Sequence, residues 1–304
     1  MIAVIDIGTN TFHLLIASIV DEDNYDIVYR ESVFVRIAKD GIDPISTASL
    51  SRAEKTLGHF VEVMKKYEIN KIRVVGTEAL RSASNGHELL SIAKEKFGLT
   101  IEIISGEEEA KLIYEGTVHA IPVYQQPYLI MDIGGGSVEF IMAQDGKILW
   151  WGSYKIGVQY LFLKYKDHDP ISLEDLGSLR DELDINLKDL KLQIDKYKPT
   201  RLVGSSGSFE TLLSLAGVGN NEVNYVALPT PVFEEIFSEI LNSTLEQRKS
   251  NPAIPKDRAE LIVIGFLLID FVLDLFKAQE IIVSSFALRE GLLYSDQKYG
   301  KLSI

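Results

Sequence analysis

Residues 131–140 read MDIGGGSVEF, and residues 4–17 read VIDIGTNTFHLLIA. Each stretch passes from an apolar run into Asp-Ile-Gly, through a short polar turn, and back into an apolar run. The runs are short and resume at once after the turn, so the spacing predicts strand–turn–strand in both places. A turn at the carboxyl end of a strand presents backbone N–H groups, and glycine lets an oxygen-rich ligand approach where a Cβ would stand in the way. Thr9, Thr11 and Ser137 add hydroxyl donors, and Asn10 adds an amide. Asp6 and Asp132, at the strand ends, can reach a Mg²⁺ ion directly or through water. The turns Gly8, Thr9, Asn10, Thr11 and Gly134, Gly135, Gly136, Ser137 are therefore candidate phosphate loops. One such turn alone reads as a tight hairpin; two matching turns, one in each half, favour the anion. Neither is a Walker A loop, because no Gly-Lys-Ser/Thr follows. Neither is a dinucleotide fingerprint, because a strand and not a helix comes next.

Outward from these turns, the first half alternates strands and helices. The expected strands are IAVIDI (2–7), FHLLIASIV (12–20), one or two strands in YDIVYRESVFVRIA (25–38), KIRVVG (71–76) and TIEIIS (100–105). Expected helices cover 48–67, with Leu50, Leu57, Phe60, Val61 and Met64 in one stripe, 86–97 and 106–119. HAIPVYQQP (119–127) reads as a connection. The second half begins afresh with strands at 128–132, 137–143 and 147–154. Helices follow at 156–165 and 172–195, a strand at 201–205, helices at 208–217, 231–241 and 257–277, a strand at 280–285 and a last helix over 288–304. The halves open alike, a weak repeat of about 125 residues. The expectation is an α/β protein of two domains, 1–120 and 121–304, duplicated around a central cleft, with the 288–304 helix packing back on the first.

Three further motifs carry chemistry. VGSSGSFETLLSL (203–215) turns from strand to helix, so Gly207 and Ser208 could bind an anion at the helix N-terminus; equally, Ser206 or Ser208 could be a plain N-cap. In ISGEEEAKLIYEG (104–116), Ser105 and Glu108 make a capping box, and Glu107 favours the helix dipole. Glu109 is left over on a different azimuth, a candidate to orient and deprotonate an attacking water in phosphoryl transfer, with Glu139 as its competitor. In GTEALRSASN (76–85), Arg81 offers a fork of donors to a phosphate, or else a surface ion pair. Lys155, Arg258 and Arg289 are weaker cationic candidates. His13, His59, His87, His119 and His168 show no metal spacing and receive no ligand role.

The composition bounds the rest. The 304 residues allow two domains, each with its own core. With 46% hydrophobic and 25% charged residues the chain is globular rather than disordered. The absence of cysteine excludes disulfides, Cys-ligated zinc and a thiol nucleophile, and suits a reducing cytoplasm. The N-terminus lacks a basic n-region, and Asp270 and Asp274 interrupt the apolar run 261–276, so neither a signal peptide nor a membrane span is expected. A net charge of −13 argues against nucleic acid as a partner and requires local positive groups or a metal ion if a polyanion is bound.

In order from residue 6 to 293, DIGTNTFHLLIA, GTEALRSASN, ISGEEEAKLIYEG, DIGGGSVEF, GSSGSFETL, RAELIVIG and SSFALREGLL resemble the motifs of the exopolyphosphatase / guanosine pentaphosphate phosphohydrolase family, in the actin-like ATPase superfamily. The resemblance implies two ribonuclease-H-like domains with mixed five-stranded sheets flanking a central cleft. It implies Mg²⁺-assisted removal of terminal phosphate from inorganic polyphosphate or guanosine pentaphosphate, and a homodimer. By the same resemblance Glu109 is the base, Arg81 binds phosphate, and Asp132 and Glu139 are the acids around metal and water, with Asp6 on the first loop. Thr9 and Thr11 stand where the family usually has Ser, and Val138 where Thr is common. The chain stops soon after LREGLL, without the helical domains of longer members, so short chains or nucleotides are the expected substrates. The alternatives are a small-molecule kinase of the same superfamily and an idle nucleotide or alarmone sensor.

Overall fold

Strand β1 (Ile2–Ile7, IAVIDI) is buried at every position. It pairs antiparallel with β2 (Thr11–Ile19) and parallel with β4 (Lys71–Gly76), and a strand hemmed in on both edges reads as a continuous apolar run. The computed structural model describes residues 1–20, 24–219 and 223–298, with side chains as far as Ser295. β3 (Tyr25–Phe34) flanks β2 and β5 (Ile101–Ile103) flanks β4, giving the order β3-β2-β1-β4-β5. Helix α1 (Thr47–Met64) is capped by Ser46, whose hydroxyl accepts from the Ser49 N–H at 3.2 Å. Its buried stripe of Leu50, Leu57, Phe60 and Met64 lies in one core with Ile5, Ile7, Phe12 and Leu14. α2 (Glu78–Ser82), α3 (Gly86–Phe97) and α4 (Gly106–Ala120) complete this stretch of chain.

The same construction restarts at β6 (Tyr128–Ile133), again buried throughout. β7 (Val138–Gln144) and β8 (Lys147–Tyr154) follow antiparallel, then α5 (Val158–Tyr165), α6 (Leu173–Asn186), α7 (Lys188–Tyr197) and β9 (Leu202–Ser205), which pairs parallel with β6. α8 (Gly207–Leu215), β10 (Tyr225–Pro229), α9 (Thr230–Asn242), α10 (Leu245–Ser250), α11 (Ile262–Phe276), β11 (Glu280–Ser284) and α12 (Leu288–Lys298) close the chain. Among the described residues this sheet has six strands, β8-β7-β6-β9-β11-β10. Its first five repeat the order of the other sheet, the arrangement of a ribonuclease-H-like domain, and β10 is added at the edge. No helix among the described residues is long and apolar enough to cross a membrane.

The chain divides into two units, Met1–Gly116 with the stretch from Ala287, and Thr117–Phe286. The boundary thus falls at Gly116 rather than residue 120, and α12 belongs with the first unit; the expected helical residues 299–304 lie outside the described residues. Other differences have local causes. The helix expected over 172–195 is two, α6 and α7, because the chain turns at buried Leu187. The helix expected from 257 begins at Ile262, after a turn that Pro255 opens through the Arg258 N–H to Pro255 O bond. The expected five strands of the second sheet become six because YVALP pairs with β11, more than fifty residues on, a contact without a local signal.

In the first unit, α4 and α12 cross with their backbones touching. A Cβ on Gly116 would lie 2.0 Å from Ala287 O, and one on Gly291 would lie 1.8 Å from Leu112 O. Any side chain there forces the two helices apart. Gly177, in exposed α6, has open space around its missing Cβ. Gly291→Ala should therefore lower unfolding stability by about 3 kcal/mol or more, whereas Gly177→Ala should raise it by about 0.5–1 kcal/mol through helix propensity alone. Urea melts of the two variants check both signs.

Candidate active site

The two hairpins are built alike. Gly8 N–H donates to Thr11 O at 3.1 Å, and Gly134 N–H donates to Ser137 O at 3.0 Å. In each, a Cβ on the glycine would sit 2.8 Å from that same carbonyl. Asp6 lies opposite His13 across the first hairpin, and Asp132 lies opposite Glu139 across the second. Residues 6–13 and 132–139 therefore correspond at one constant offset, 126 by the pair Asp6 and Asp132.

Carbonyls of both loops are held from behind, three in the second and two in the first. In the second unit, the Gly157, Val158 and Gln159 N–H groups, at the start of α5, donate to Gly136 O, Gly134 O and Gly135 O at 3.1, 3.0 and 2.8 Å. In the first, Arg36 N–H donates to Asn10 O at 2.8 Å and Ile37 N–H to Thr9 O at 2.9 Å. The N–H groups of Gly135, Gly136 and Ser137 make no backbone hydrogen bond among the described residues. A run of amides whose carbonyls are tied back has the form that can receive an anion.

Around the second loop the acids are buried and bonded. Asp132 Oδ1 accepts from Ser206 Oγ at 2.6 Å and from Ser205 Oγ, and Ser205 is its neighbour in the β6–β9 register. Ser206 stands at the N-cap of α8 with φ +72° and makes no side-chain cap. Its hydroxyl serves Asp132 instead, which settles the N-cap question against an ordinary cap. Glu139 Oε1 accepts from Ser153 Oγ, its cross-strand partner, at 2.8 Å. Gly207 O accepts from Arg258 Nη1 at 2.8 Å, and Arg258 also binds Glu210. Ser208 Oγ lies against α11 at Gly265, and Lys155 is exposed.

In the first unit Arg81 and Glu109 meet. Arg81 Nη1 donates to Glu109 Oε2 at 3.1 Å and to Ile104 O at 2.6 Å; Nε and Nη2 both reach Glu78 Oε2, at 3.0 and 2.7 Å. Glu109 is 6% exposed and Glu78 4%. Burial pulls the Arg81 pKa down, but the charge of Glu109 and the bond to and charge of Glu78 outweigh it, so the pKa is raised. Glu109 is thus a carboxylate fixed in direction by a permanent cation. Ser105 Oγ accepts from Glu108 N–H at 3.1 Å, the capping half of the expected box.

Sequence reasoning overlooked several of these groups. Glu78 sits three residues before Arg81 on one helix face, a spacing that itself suggests a pair. Ser205 and Ser206 lie inside a motif read only for its glycine. His13 occupies the place that Glu139 holds in the other half. Its Nδ1 lies 2.7 Å from Ser32 Oγ, again the cross-strand partner, and 3.1 Å from Arg289 Nη1. An arginine can only donate, so Nδ1 accepts and the ring proton is on Nε2. Arg289 Nε and Arg30 Nη2 both bind the buried Glu290.

Among the described residues no group of three or more acidic or histidine side chains could hold an ion alone. Mg²⁺ does not need one: it takes one or two carboxylates, substrate oxygens and water. The donors present fit that pattern. Asp132 and Glu139 are paired at one strand end. Asn10 Oδ1, on the loop that follows Asp6, is buried without a hydrogen-bond partner among the described residues, as an oxygen reserved for a cation or its water would be.

The sequence matches the model of the Ppx/GppA phosphatase family over residues 15–300. The chain belongs to this family. The matched stretch begins within β2, just past the first loop. A Haemophilus influenzae protein named as a candidate exopolyphosphatase is 31% identical, over 98% of this chain and 91% of that one. The crystal structure of an exopolyphosphatase from Cytophaga hutchinsonii superposes with a TM-score of 0.95 at 34% identity, covering 100% of this chain and 99% of that one. That of the Aquifex aeolicus PPX-GPPA enzyme gives 0.80 at 25% identity, over 97% and 99%. As a Ppx/GppA family member the chain is a phosphatase-class hydrolase of two ribonuclease-H-like units.

Glu78→Gln removes the charge that two nitrogens of Arg81 bind. With Glu78 buried and Arg81 only 22% exposed, the substitution should cost about 1–3 kcal/mol of stability, measured by urea unfolding.

Proposed function

We propose that the chain is an exopolyphosphatase that releases the terminal phosphate of inorganic polyphosphate, with guanosine pentaphosphate as a second substrate. The observation that carries this reading is the pair of equivalent hairpins whose carbonyls are held back while the amides of the second make no backbone bond. Family membership and the likeness to the Cytophaga enzyme support it. The reading further includes a cytoplasmic location and a homodimer, with neither nucleic acid nor membrane as partner.

In this mechanism Glu109, steered by Arg81, takes a proton from the water that attacks the terminal phosphorus. The bond from phosphorus to the bridging oxygen breaks, freeing orthophosphate and a shortened chain. The amides of Gly135, Gly136 and Ser137 bind the phosphoryl oxygens as negative charge shifts among them. In the second unit Asp132 and Glu139, held by Ser205, Ser206 and Ser153, would hold Mg²⁺; Asp6 and Asn10 are the first unit's own candidate oxygen donors. Bound there, the ion would supply positive charge to the phosphate oxygens. Arg81, expected to bind phosphate, acts in this reading chiefly on Glu109, since four hydrogen bonds already engage its guanidinium.

Glu109→Gln should lower phosphate release by about 10²–10³-fold or more while substrate binding persists. Release from polyphosphates of graded length and from guanosine pentaphosphate, followed with Mg²⁺ and with EDTA, measures this. Undiminished release by the variant removes Glu109 from the mechanism. Turnover that requires an added acceptor makes the chain a kinase, and tight binding without turnover makes it a sensor.

A further inference from the structure

The carbonyls of Thr9 and Asn10 in the first loop are held not by a helix start, as in the second loop, but by an irregular bend of the chain. The holder is a bend at Arg36, whose φ of +49° is rare for a residue with a side chain. That conformation turns two successive N–H groups, of Arg36 and Ile37, toward Asn10 O and Thr9 O. It leaves the carbonyls of the same two peptides facing α1, and there Arg52 takes both. Arg52 Nε donates to Val35 O at 2.8 Å and Nη2 to Arg36 O at 2.7 Å; Nη2 also reaches Ser49 Oγ at 2.8 Å, and Ser49 is fully buried.

Followed peptide by peptide, these bonds form two parallel relays. The cation of Arg52 polarises the Val35–Arg36 peptide, whose N–H donates to Asn10 O, and that carbonyl's own peptide carries the Thr11 N–H. It also polarises the Arg36–Ile37 peptide, whose N–H donates to Thr9 O, and that peptide carries the Asn10 N–H. Hydrogen bonds in series strengthen one another, the more so away from water. In the second unit the start of α5 does this through Gly157, Val158 and Gln159, with the partial positive charge of a helix N-terminus as the source.

We propose that Arg52 is a positioning residue for the first loop, supplying from behind the positive charge that the second loop draws from α5. It touches no substrate. It fixes the Thr9 and Asn10 carbonyls and makes the Asn10 and Thr11 amides stronger donors. The inference rests on the first loop's being a phosphate loop.

The test compares Arg52→Gln, Arg52→Lys and a control, Leu57→Ala, which removes a buried side chain from the same helix without touching the relay. Amide ¹H–¹⁵N spectra and phosphate release from polyphosphate are read for each folded variant. Arg52→Gln should shift the Asn10 and Thr11 amide protons upfield and raise KM about tenfold, with a smaller effect on kcat. Arg52→Lys should recover part of both. Leu57→Ala should lose stability with KM and both amides unchanged. Wild-type KM and amide shifts in Arg52→Gln overturn the proposal, as does an equal KM change in Leu57→Ala. Asn10→Ala with unaltered phosphate release overturns the loop assignment beneath it, whereas loss in Asn10→Ala with none in Arg52→Gln overturns the relay alone.

Discussion

A peptide that is to greet an anion with its N–H must put its carbonyl somewhere, because a carbonyl oxygen facing the same ligand would repel it. That constraint organises both halves of this protein. Each hairpin closes on itself through a glycine N–H and the carbonyl of Thr11 or Ser137, and outside donors take the Thr9 and Asn10 carbonyls in one and the Gly134, Gly135 and Gly136 carbonyls in the other. Strand pairing alone cannot do this, since it alternates N–H and C=O along one edge. The loops depend on outside donors, which α5 brings in one unit and the Arg36 bend with α1 in the other.

Within that shared frame the halves have diverged in charge. The second hairpin places Glu139 against Ser153, and the first places His13 against Ser32 at the corresponding register. The acid-bearing half also gathers Ser205 and Ser206 onto Asp132. The histidine-bearing half leads instead into Arg289, Arg30 and a buried Glu290 that binds both arginines. At the same register position one half thus has a carboxylate that only accepts and the other an imidazole whose Nδ1 accepts.

Both hairpins were legible because the information is local: an apolar strand, Asp-Ile-Gly, a hydroxyl three residues after the glycine, and a second strand, all within fourteen residues. The likeness of the two sheets' openings followed from repeating that unit. Contacts distant along the chain gave no such sign. β10 finds its partner through the register Tyr225 to Ser284, and its own residues look like a loop before Pro229. Ser206 carries the composition of an N-cap and spends its hydroxyl on a strand-end aspartate instead. Arg36 and Arg52 belong to no glycine-rich or acidic motif; one is set apart by a backbone angle and the other by bonds to carbonyls, neither of which composition records. Arg81 reads from sequence as a phosphate donor or an ion-pair partner; its bonds to Glu78, Glu109 and the Ile104 carbonyl come from residues up to 28 positions away, and Glu78 was not weighed.

Those bonds bear on how so acidic a chain could receive a polyanion. The net charge of −13 gives a long-range field that opposes approach, and Arg81 is offset by Glu78 and Glu109. Besides any bound metal ion, each loop offers dipoles at short range: amides fixed in direction and backed by a helix N-terminus in one unit and a guanidinium in the other. Fixed dipoles need no reorganisation when charge develops on them, and their influence falls away within a few ångströms. A site made of them discriminates by the placement of oxygens rather than by total charge, so a terminal phosphoryl group and an equally charged but differently shaped anion would not be equivalent ligands.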